Sequence, residues 1–414
     1  QDAGRAPEMI TLPLESLVEN LPTGYGDTKD TNESNLPVVK VSNVSGSGHF
    51  HKQFEIRSFS KEKADELIVI EDDLLVVKSS GSKANILSGK TAICTKELSG
   101  KIIASNFLLK LRPDQGVISP KLLWYYLNSP YSKKYVKSIV GATTYPNLKW
   151  NLYGKHPIPS IPLDKQKWIV DILDTADELR QKDRALIAKY DELTQSLFLE
   201  MFGDANKARS KWVESSIKSL ADSTKGAMRT GPFGSDLLHS EFVDEGISVL
   251  GIDNVVDNQF KWKGRRYITA LKYEKLRRYT VFPRDVLISI MGTVGRVAIV
   301  PNDIGVAINT KHLAALTLNE RIVNSAFIAS SLQKDPYILD QLSRAGRGAI
   351  MTGLNLTIIK NLRLKLPPLE LQNQYAEYAR EIESQITTAQ NSLSKSEFLF
   401  ASLLQKAFKG ELTN

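Results

Sequence analysis

"NLKWNLYGKHPIPSIPLDKQ", Asn147 to Gln166, and "NLTIIKNLRLKLPPLELQ", Asn355 to Gln372, are two versions of one phrase. Each starts on Asn-Leu, closes in a proline-marked turn (Pro159 to Pro162, Pro367 to Pro368) and then opens a long polar segment. Prolines so placed mark a domain boundary. Two more phrases recur at a similar interval. "PVVKVSNV" (Pro37 to Val44) returns as "SVLGIDNV" (Ser248 to Val255), and "DDLLVVKSSGS" (Asp72 to Ser82) returns as "RDVLISIMGT" (Arg284 to Thr293). A period of roughly 200 residues is far too long for a solenoid and fits a duplicated unit.

Charge follows the same division. The 414 residues carry a formal net charge of +8. Lys and Arg outnumber Asp and Glu by 4 over residues 1–160 and by 10 over 206–366, whereas acids exceed bases by 4 over 161–205 and by 2 over 367–414. The basic segments mix short β-branched runs ("ELIVI", "DLLVV", "DVLISI", "RVAIV") with helical patches such as "SPKLLWYYLNSPYSKKYV". They read as α+β globular domains. In the acidic segments apolar residues recur at spacings of three and four: Ile169, Ile172, Ala176, Leu179, Leu186, Tyr190, Leu193 and Leu197, broken at Asp183 and Glu200. The second copy has Tyr375, Ala379, Ile382, Ile386, Ala389, Leu393, Phe400, Leu403 and Ala407, broken at Ser396. These are long amphipathic helices with coiled-coil spacing. Two copies pairing with approximate two-fold symmetry would lie antiparallel. A helix of about 36 residues spans roughly 54 Å, comparable with one to two turns of duplex DNA.

The composition excludes several classes. With 42% hydrophobic and 24% charged residues the chain reads as ordinary globular protein. Its single cysteine, Cys94, rules out an intramolecular disulfide framework and multi-cysteine zinc sites, and cytoplasm is the expected compartment. No apolar run approaches the roughly 20 residues that span a bilayer, and "QDAGRAPEMITLP" lacks a signal-peptide layout, so a membrane protein is not expected. Because the chain opens on Gln1 and not Met, some of its native start is expected to be missing.

Catalytic motifs are scarce. "ANILSGKT", Ala84 to Thr91, resembles a phosphate-cradling loop, but Ala84 stands where Gly belongs, and "TAICT" behind it reads as a strand, not the required helix. A turn between two strands is expected. His49 and His51 alternate along one strand face without partnered carboxylates or thiols, and His156, His239 and His312 stand alone, so no metal site is expected. "LPPL" lacks the polar first residue of an amino-methyltransferase tetrapeptide, and no Ser/His/Asp hydrolase motif is found.

The chain resembles the specificity subunit of type I restriction–modification enzymes over essentially its whole length. The resemblance rests on the order of basic domain, long helix, basic domain, long helix, and on "LPPLELQNQ" opening the last helix, "QSLFLEMFGD" closing the first, and "GPFGS" and "GTVGR" in the second domain. It implies an α+β fold of two target recognition domains (1–160 and 206–366) joined by two spacer helices (161–205 and 367–414) in an antiparallel coiled coil, an internal pseudo-two-fold duplication. Each domain would read one half of a bipartite site in double-stranded DNA. The helices would set the gap and dock two methyltransferase subunits, with restriction or translocase subunits as further partners. The chain itself would be no enzyme and hold no cofactor, S-adenosylmethionine being expected in the partner methyltransferase. One departure stands out: the first domain has "SSGSKAN" where the second has "GTVGR", and no evident "GPFGS".

DNA contacts need cations for phosphates, paired donors and acceptors for base edges, and backbone that approaches closely. Gly-rich turns with neighbouring Arg, Lys, Ser and Thr supply these. In the second domain they are "MRTGPFGSD" (Arg229, Thr230, Phe233, Ser235), "GTVGR" (Thr293, Arg296), "NTKH" (Asn309, Lys311, His312) and "SRAGRG" (Arg344, Arg347). In the first they are Lys78, Ser80, Lys83, Lys90 and, in "GATTYPN", Thr143, Thr144 and Tyr145. Two other readings stand beside this one: a nucleotide-dependent enzyme using Ala84 to Thr91, and a coiled-coil scaffold whose basic domains bind proteins.

Overall fold

The computed structural model describes residues 10–25, 34–45, 48–51, 53–79, 81–82, 85–140, 147–203, 208–347 and 354–412. The chain forms two compact units, Gln1–Asp183 with Ser392–Asn414, and Arg184–Asn391. The division falls inside the two long helices, Leu163–Phe202 and Leu369–Phe408, so each unit owns part of both.

In the first unit an antiparallel sheet runs in the order Val18–Leu21, Leu108–Pro113, Leu74–Val77, Thr91–Ile93. The run "LLVV" is buried throughout, and its period of two separates the faces. Leu74 and Val76 pack with Leu123 and Tyr125 of the helix Pro120–Leu127, whereas Leu75 and Val77 pack with Val39, Val69 and Ile102. A second sheet places Ser34–Val39 between Glu55–Phe59, antiparallel, and Ile103–Ala104, parallel. A two-stranded ladder joins Thr11–Pro13 to Pro157–Pro159.

The second unit repeats this plan. Its antiparallel sheet is ordered Met228–Thr230, Leu313–Leu316, Val286–Ser289, Val297–Ile299. Its mixed sheet sets Ile247–Leu250 against Tyr267–Ile268, antiparallel, and Ala307–Asn309, parallel. Val213–Ser216 pairs with Arg363–Leu366. The recurring phrases occupy equivalent places, and their polar residues repeat the same bonds. Asn43 accepts from Lys40 N at 2.8 Å and donates to the carbonyls of His51 and Gln53. Asn254 accepts from Gly251 N at 2.9 Å and donates to the carbonyls of Lys261 and Lys263. The Gln that ends each opening phrase explains itself likewise. Gln166 accepts from Ser119 N and donates to the carbonyls of Val117 and Ile161; Gln372 accepts from Asn324 N and donates to those of Ile322 and Pro367. Each amide clamps the proline turn to the start of a neighbouring helix, satisfying buried backbone groups that would otherwise cost free energy.

Both long helices have 40 residues. In the first unit Arg180 lies over the Phe400 ring at 3.6 Å, and Ser396 Oγ donates to Asp183 at 2.8 Å. In the second unit Tyr375 packs on Phe198 and Phe202. In the first unit rising numbers on one helix meet falling numbers on the other, and in the second the end of the first helix meets the start of the second, which makes the pair an antiparallel coiled coil. Two of the breaks in the apolar pattern, Asp183 and Ser396, are thus one buried contact, and a polar pair in an apolar seam favours one register.

The seam also departs from the expected stripe. Leu179, Leu186 and Leu193 are 44%, 41% and 48% exposed, while Val170, Leu173 and Asp177 are buried. The buried row, Ile169, Leu173, Ala176, half-buried Arg180 and Asp183, is also spaced by four and three but at every second position lies one residue round the helix from the expected one, so Leu179, Leu186 and Leu193 are left facing out. Among the described residues no helix is long and apolar enough to cross a membrane.

Candidate nucleic-acid interface

In the second unit the turn between Val286–Ser289 and Val297–Ile299 carries "GTVGR". Gly292 and Gly295 have φ of +75° and +87°, which side chains with a Cβ rarely adopt. Ser289 holds the turn: its backbone carbonyl accepts from Gly295 N at 2.8 Å and its Oγ from Arg296 N at 2.9 Å. Ile290 N donates to His312 O at 2.9 Å, joining this turn to "NTKH". A Cβ on Gly231 would run into Asn309 O, so "TGPFGS" approaches the same place through a glycine. Three of the four segments singled out in this half are therefore neighbours.

Their side chains divide. Phe233, Ser235 and Thr293 are exposed, and Thr230, Arg296, Lys311 and His312 are half-buried. Arg229 is buried, ion-paired to Asp285 and bonded to Thr317 Oγ1 at 2.9 Å. Asn309 is also buried, donating to Leu313 O at 2.7 Å. Both are turned into the interior of the unit, where Arg229 Nε and Asn309 Oδ1 stay without a hydrogen-bond partner among the described residues. Arg344 lies on the helix Pro336–Arg347 and pairs with Asp340 at 2.7 Å. Arg347 ends that helix, and its side chain is outside the described residues. Arg266, which the sequence did not flag, lies close enough to His312 to affect it. Burial, then Lys311 and Arg266, push the His312 imidazole below its ordinary pKa, so it is neutral at pH 7.

In the first unit Ser80, Lys83, Thr143, Thr144 and Tyr145 lie outside the described residues. Lys78 and Lys90 are half-buried. Gly89 N donates to Val77 O at 2.9 Å with φ of +88°, and Lys90 O accepts from Val77 N at 2.8 Å. Gly295 and Arg296 make the same two bonds with Ser289, at 2.8 and 2.9 Å. The counterpart of "GR" in "GTVGR" is therefore Gly89-Lys90 and not "SSGSKAN". The first turn is longer because the two-residue strands Gly81–Ser82 and Asn85–Ile86 are inserted before it, which moves the equivalent residues along the chain.

The same geometry closes the nucleotide reading. Ala84 lies outside the described residues, and among the described ones Lys90 leads into the strand Thr91–Ile93 and not into the helix whose N-terminus would receive a phosphate. Thr91 is fully buried, its hydroxyl donating to Gly89 O at 3.0 Å and its carbonyl accepting from Trp124 Nε1 and Asn128 Nδ2. Among the described residues no group of three or more His, Cys, Asp or Glu could hold a metal ion. His49 is instead 3.7 Å from Asp177.

The turn Asn106-Phe107 also went unflagged. Lys78 N donates to Phe107 O at 2.9 Å, as Ile290 N does to His312 O, and Ser105 N donates to Val39 O as Thr310 N does to Leu250 O. "SNF" is thus the counterpart of "TKH". Aligning the two halves through their paired strands would have found it; composition could not, since "SNF" carries no cation.

Comparison with known proteins decides the family. The family described as Type I restriction modification DNA specificity domain matches residues 19–189 and 209–397, most of the chain and once per half. The chain belongs to this family. Relatives among specificity subunits include that of the type I restriction enzyme MjaVIII from Methanocaldococcus jannaschii, 21% identical over 79% of this chain and 76% of the relative. The StySPI specificity subunit from Salmonella potsdam is 26% identical over 99% of this chain and 90% of its own. The crystal structure of an S subunit from M. genitalium shares the fold at a TM-score of 0.61, with 14% identity and 98% of each chain covered. As a specificity subunit the protein is a non-catalytic DNA-recognition component of a type I restriction–modification assembly.

Proposed function

We propose that each unit of this specificity subunit reads one half of a bipartite duplex site. The Gly-cation turns Gly89-Lys90 and Gly295-Arg296 would meet phosphates. The residues beside them, including Phe233, Ser235, Thr293, Lys311 and His312 in the second unit, would face the groove. The observation that carries this reading is the repetition of one turn, with the same bonds and a cation at the same place, in both halves. Arg229 and Asn309 are left out of the contact set because both side chains are buried and bonded inside the unit, Arg229 to Asp285 and Thr317 and Asn309 to Leu313 O.

The helices, each about 60 Å long at 1.5 Å per residue, would set the distance between the half-sites. The exposed row Leu179, Leu186 and Leu193 gives a methyltransferase partner an apolar face on which to pack. Two such partners would supply S-adenosylmethionine and the transfer chemistry in a cytoplasmic assembly, to which restriction or translocase subunits could add.

Duplex binding at two salt concentrations tests the DNA reading. Lys90→Ala and Arg296→Ala are each expected to weaken binding and to lower the slope of log affinity against log salt by about one. Unchanged affinity and slope in both variants would remove the proposed contacts. If the basic units instead bind proteins, native affinity for duplex DNA will show little salt dependence.

A further inference from the structure

Phe107 stands out by its place in the duplication. Asn106 and Phe107 form the exposed tip of a turn between the almost wholly buried Ser105 and Leu108, and Phe107 is 50% exposed. Its carbonyl accepts from Lys78 N at 2.9 Å and Ser79 N at 3.4 Å, and Leu108 N donates to Ser105 O at 2.9 Å, so the turn that carries the ring is tied down. Single exposed apolar side chains are common and by themselves mean little. This one occupies the place that His312 holds in the other half of the duplication, next to the strand that leads to Lys78 and opposite the turn of Lys90.

We infer that Phe107 is a specificity-determining residue of the first unit, contacting bases by apolar packing at the position where His312 contacts them by hydrogen bonds in the second. The inference rests on the proposed DNA reading. Phosphate contacts fix where a protein sits, and base contacts decide the sequence. A phenyl ring has no donor or acceptor, so it discriminates by packing on a thymine methyl or by wedging at a deformable base step. A neutral imidazole carries one donor and one acceptor and reads a base edge instead. The two half-sites would then be read by different chemistry from equivalent turns.

The test maps modified bases in the DNA of cells that carry this subunit with its cognate methyltransferase. Phe107→Ala is expected to relax one or two base positions in one half of the recognised motif, with discrimination there falling about tenfold. The other half should stay as strict as in the native protein. His312→Ala should relax the opposite half only. Phe107→Trp, which keeps a ring, should retain the native motif in part, and its melting temperature controls for folding. A Phe107→Ala map as strict as the native one in both halves overturns the inference, as does equal relaxation of both.

If Phe107→Ala abolishes modification, purified complexes decide the matter. Weaker duplex binding with an unchanged salt slope supports a base contact, whereas a slope lowered by about one marks a phosphate contact and overturns it. Failure of the underlying reading looks different: the native chain itself would show no salt-dependent duplex binding.

Discussion

The two units share a plan but not the packing of their globular part against their own stretch of coiled coil. In the first unit that junction is filled. Tyr125 lies 4.6 Å from Trp124 and 5.8 Å from Phe400 between ring centroids, and its hydroxyl donates to Asp174 at 2.6 Å. Arg180 covers Phe400, and His49 and Gln181 meet beside Asp177. In the second unit the same place is a cleft of about 680 Å³. Counting from the helix caps Ser119 and Asn324, Trp124 and Tyr125 correspond to Ala329 and Ser330. Counting from the first residues of the long helices, Phe400 corresponds to Thr194, Arg180 to Ile386 and Asp177 to Glu383. All five replacements line the cleft. Three aromatic side chains have become small ones while the backbone plan stayed the same, so a duplicated scaffold tolerates loss of packing at one copy of a junction.

Phe400→Ala should have the largest effect on this contrast. It removes a buried ring from both the tyrosine and the arginine and should cost about 3–5 kcal/mol, read as a lower denaturant midpoint. Thr194→Ala, at the equivalent place, should change stability by less than about 0.5 kcal/mol. Comparable losses at the two sites would mean that the filled junction and the cleft are not energetically different.

The pH dependence of the two junctions should differ in its window, acid in the first unit and alkaline in the second, while stability rises with pH in both. Burial alone would raise the Asp177 pKa, but hydrogen bonds from His49 and Arg180, the Arg180 charge and Gln181 hold it well below the usual carboxylate range. A carboxylate so depressed contributes stability that is present above its unfolded pKa of about 3.9 and is lost as pH falls toward its folded value. Asp177→Asn should therefore lower the melting temperature at pH 7 and flatten the loss of stability below pH 4. Lys334 lines the cleft and gives the same sign of slope at alkaline pH, but from burial of its charge and not from partners that favour the charged form. Burial pushes it down to about 8, against the nearby charges of Asp191 and Glu383. Between that value and about 10.4 the unfolded chain binds the proton and the folded one does not, so stability rises with pH across that window. Lys334→Met should abolish the rise between pH 8 and 10, as measured by denaturant unfolding; a rise that persists would assign it to another group.

The smallest expected change is a gain. Thr194→Phe places a ring where Phe400 sits in the other unit and should add about 0.5–2 kcal/mol by filling the cleft. A loss of stability would show that the cleft walls do not accept the first unit's packing.

Much of the architecture could be read before any coordinates. The repeated phrases, the proline turns and the alternation of charge located the duplication and both long helices, because periodicity and proline act locally and leave their mark in any window of sequence. The interface was only partly legible. Glycine with a neighbouring cation pointed to the turns that carry Lys90 and Arg296, yet the same rule selected Arg229, whose partner Asp285 lies more than fifty residues away. Phe107 was passed over because a lone aromatic between apolar strands looks like core.

What the chain determined alone was therefore order and type: two α+β segments, each followed by a long amphipathic helix, with the excess of positive charge outside those helices. What the tertiary structure decided was which way particular side chains face. Leu179, Leu186 and Leu193 fit the helical stripe but turn outward; Asp183 and Ser396 look like defects until they meet; Gly89-Lys90 is tied to Gly295-Arg296 by its bonds to Val77, because the inserted strands Gly81–Ser82 and Asn85–Ile86 spoil the count from the phrase before it. The physical reason is one of range. Spacing sets which residues share a face within an element, but burial and pairing depend on what another part of the chain, often hundreds of residues away, brings against that face.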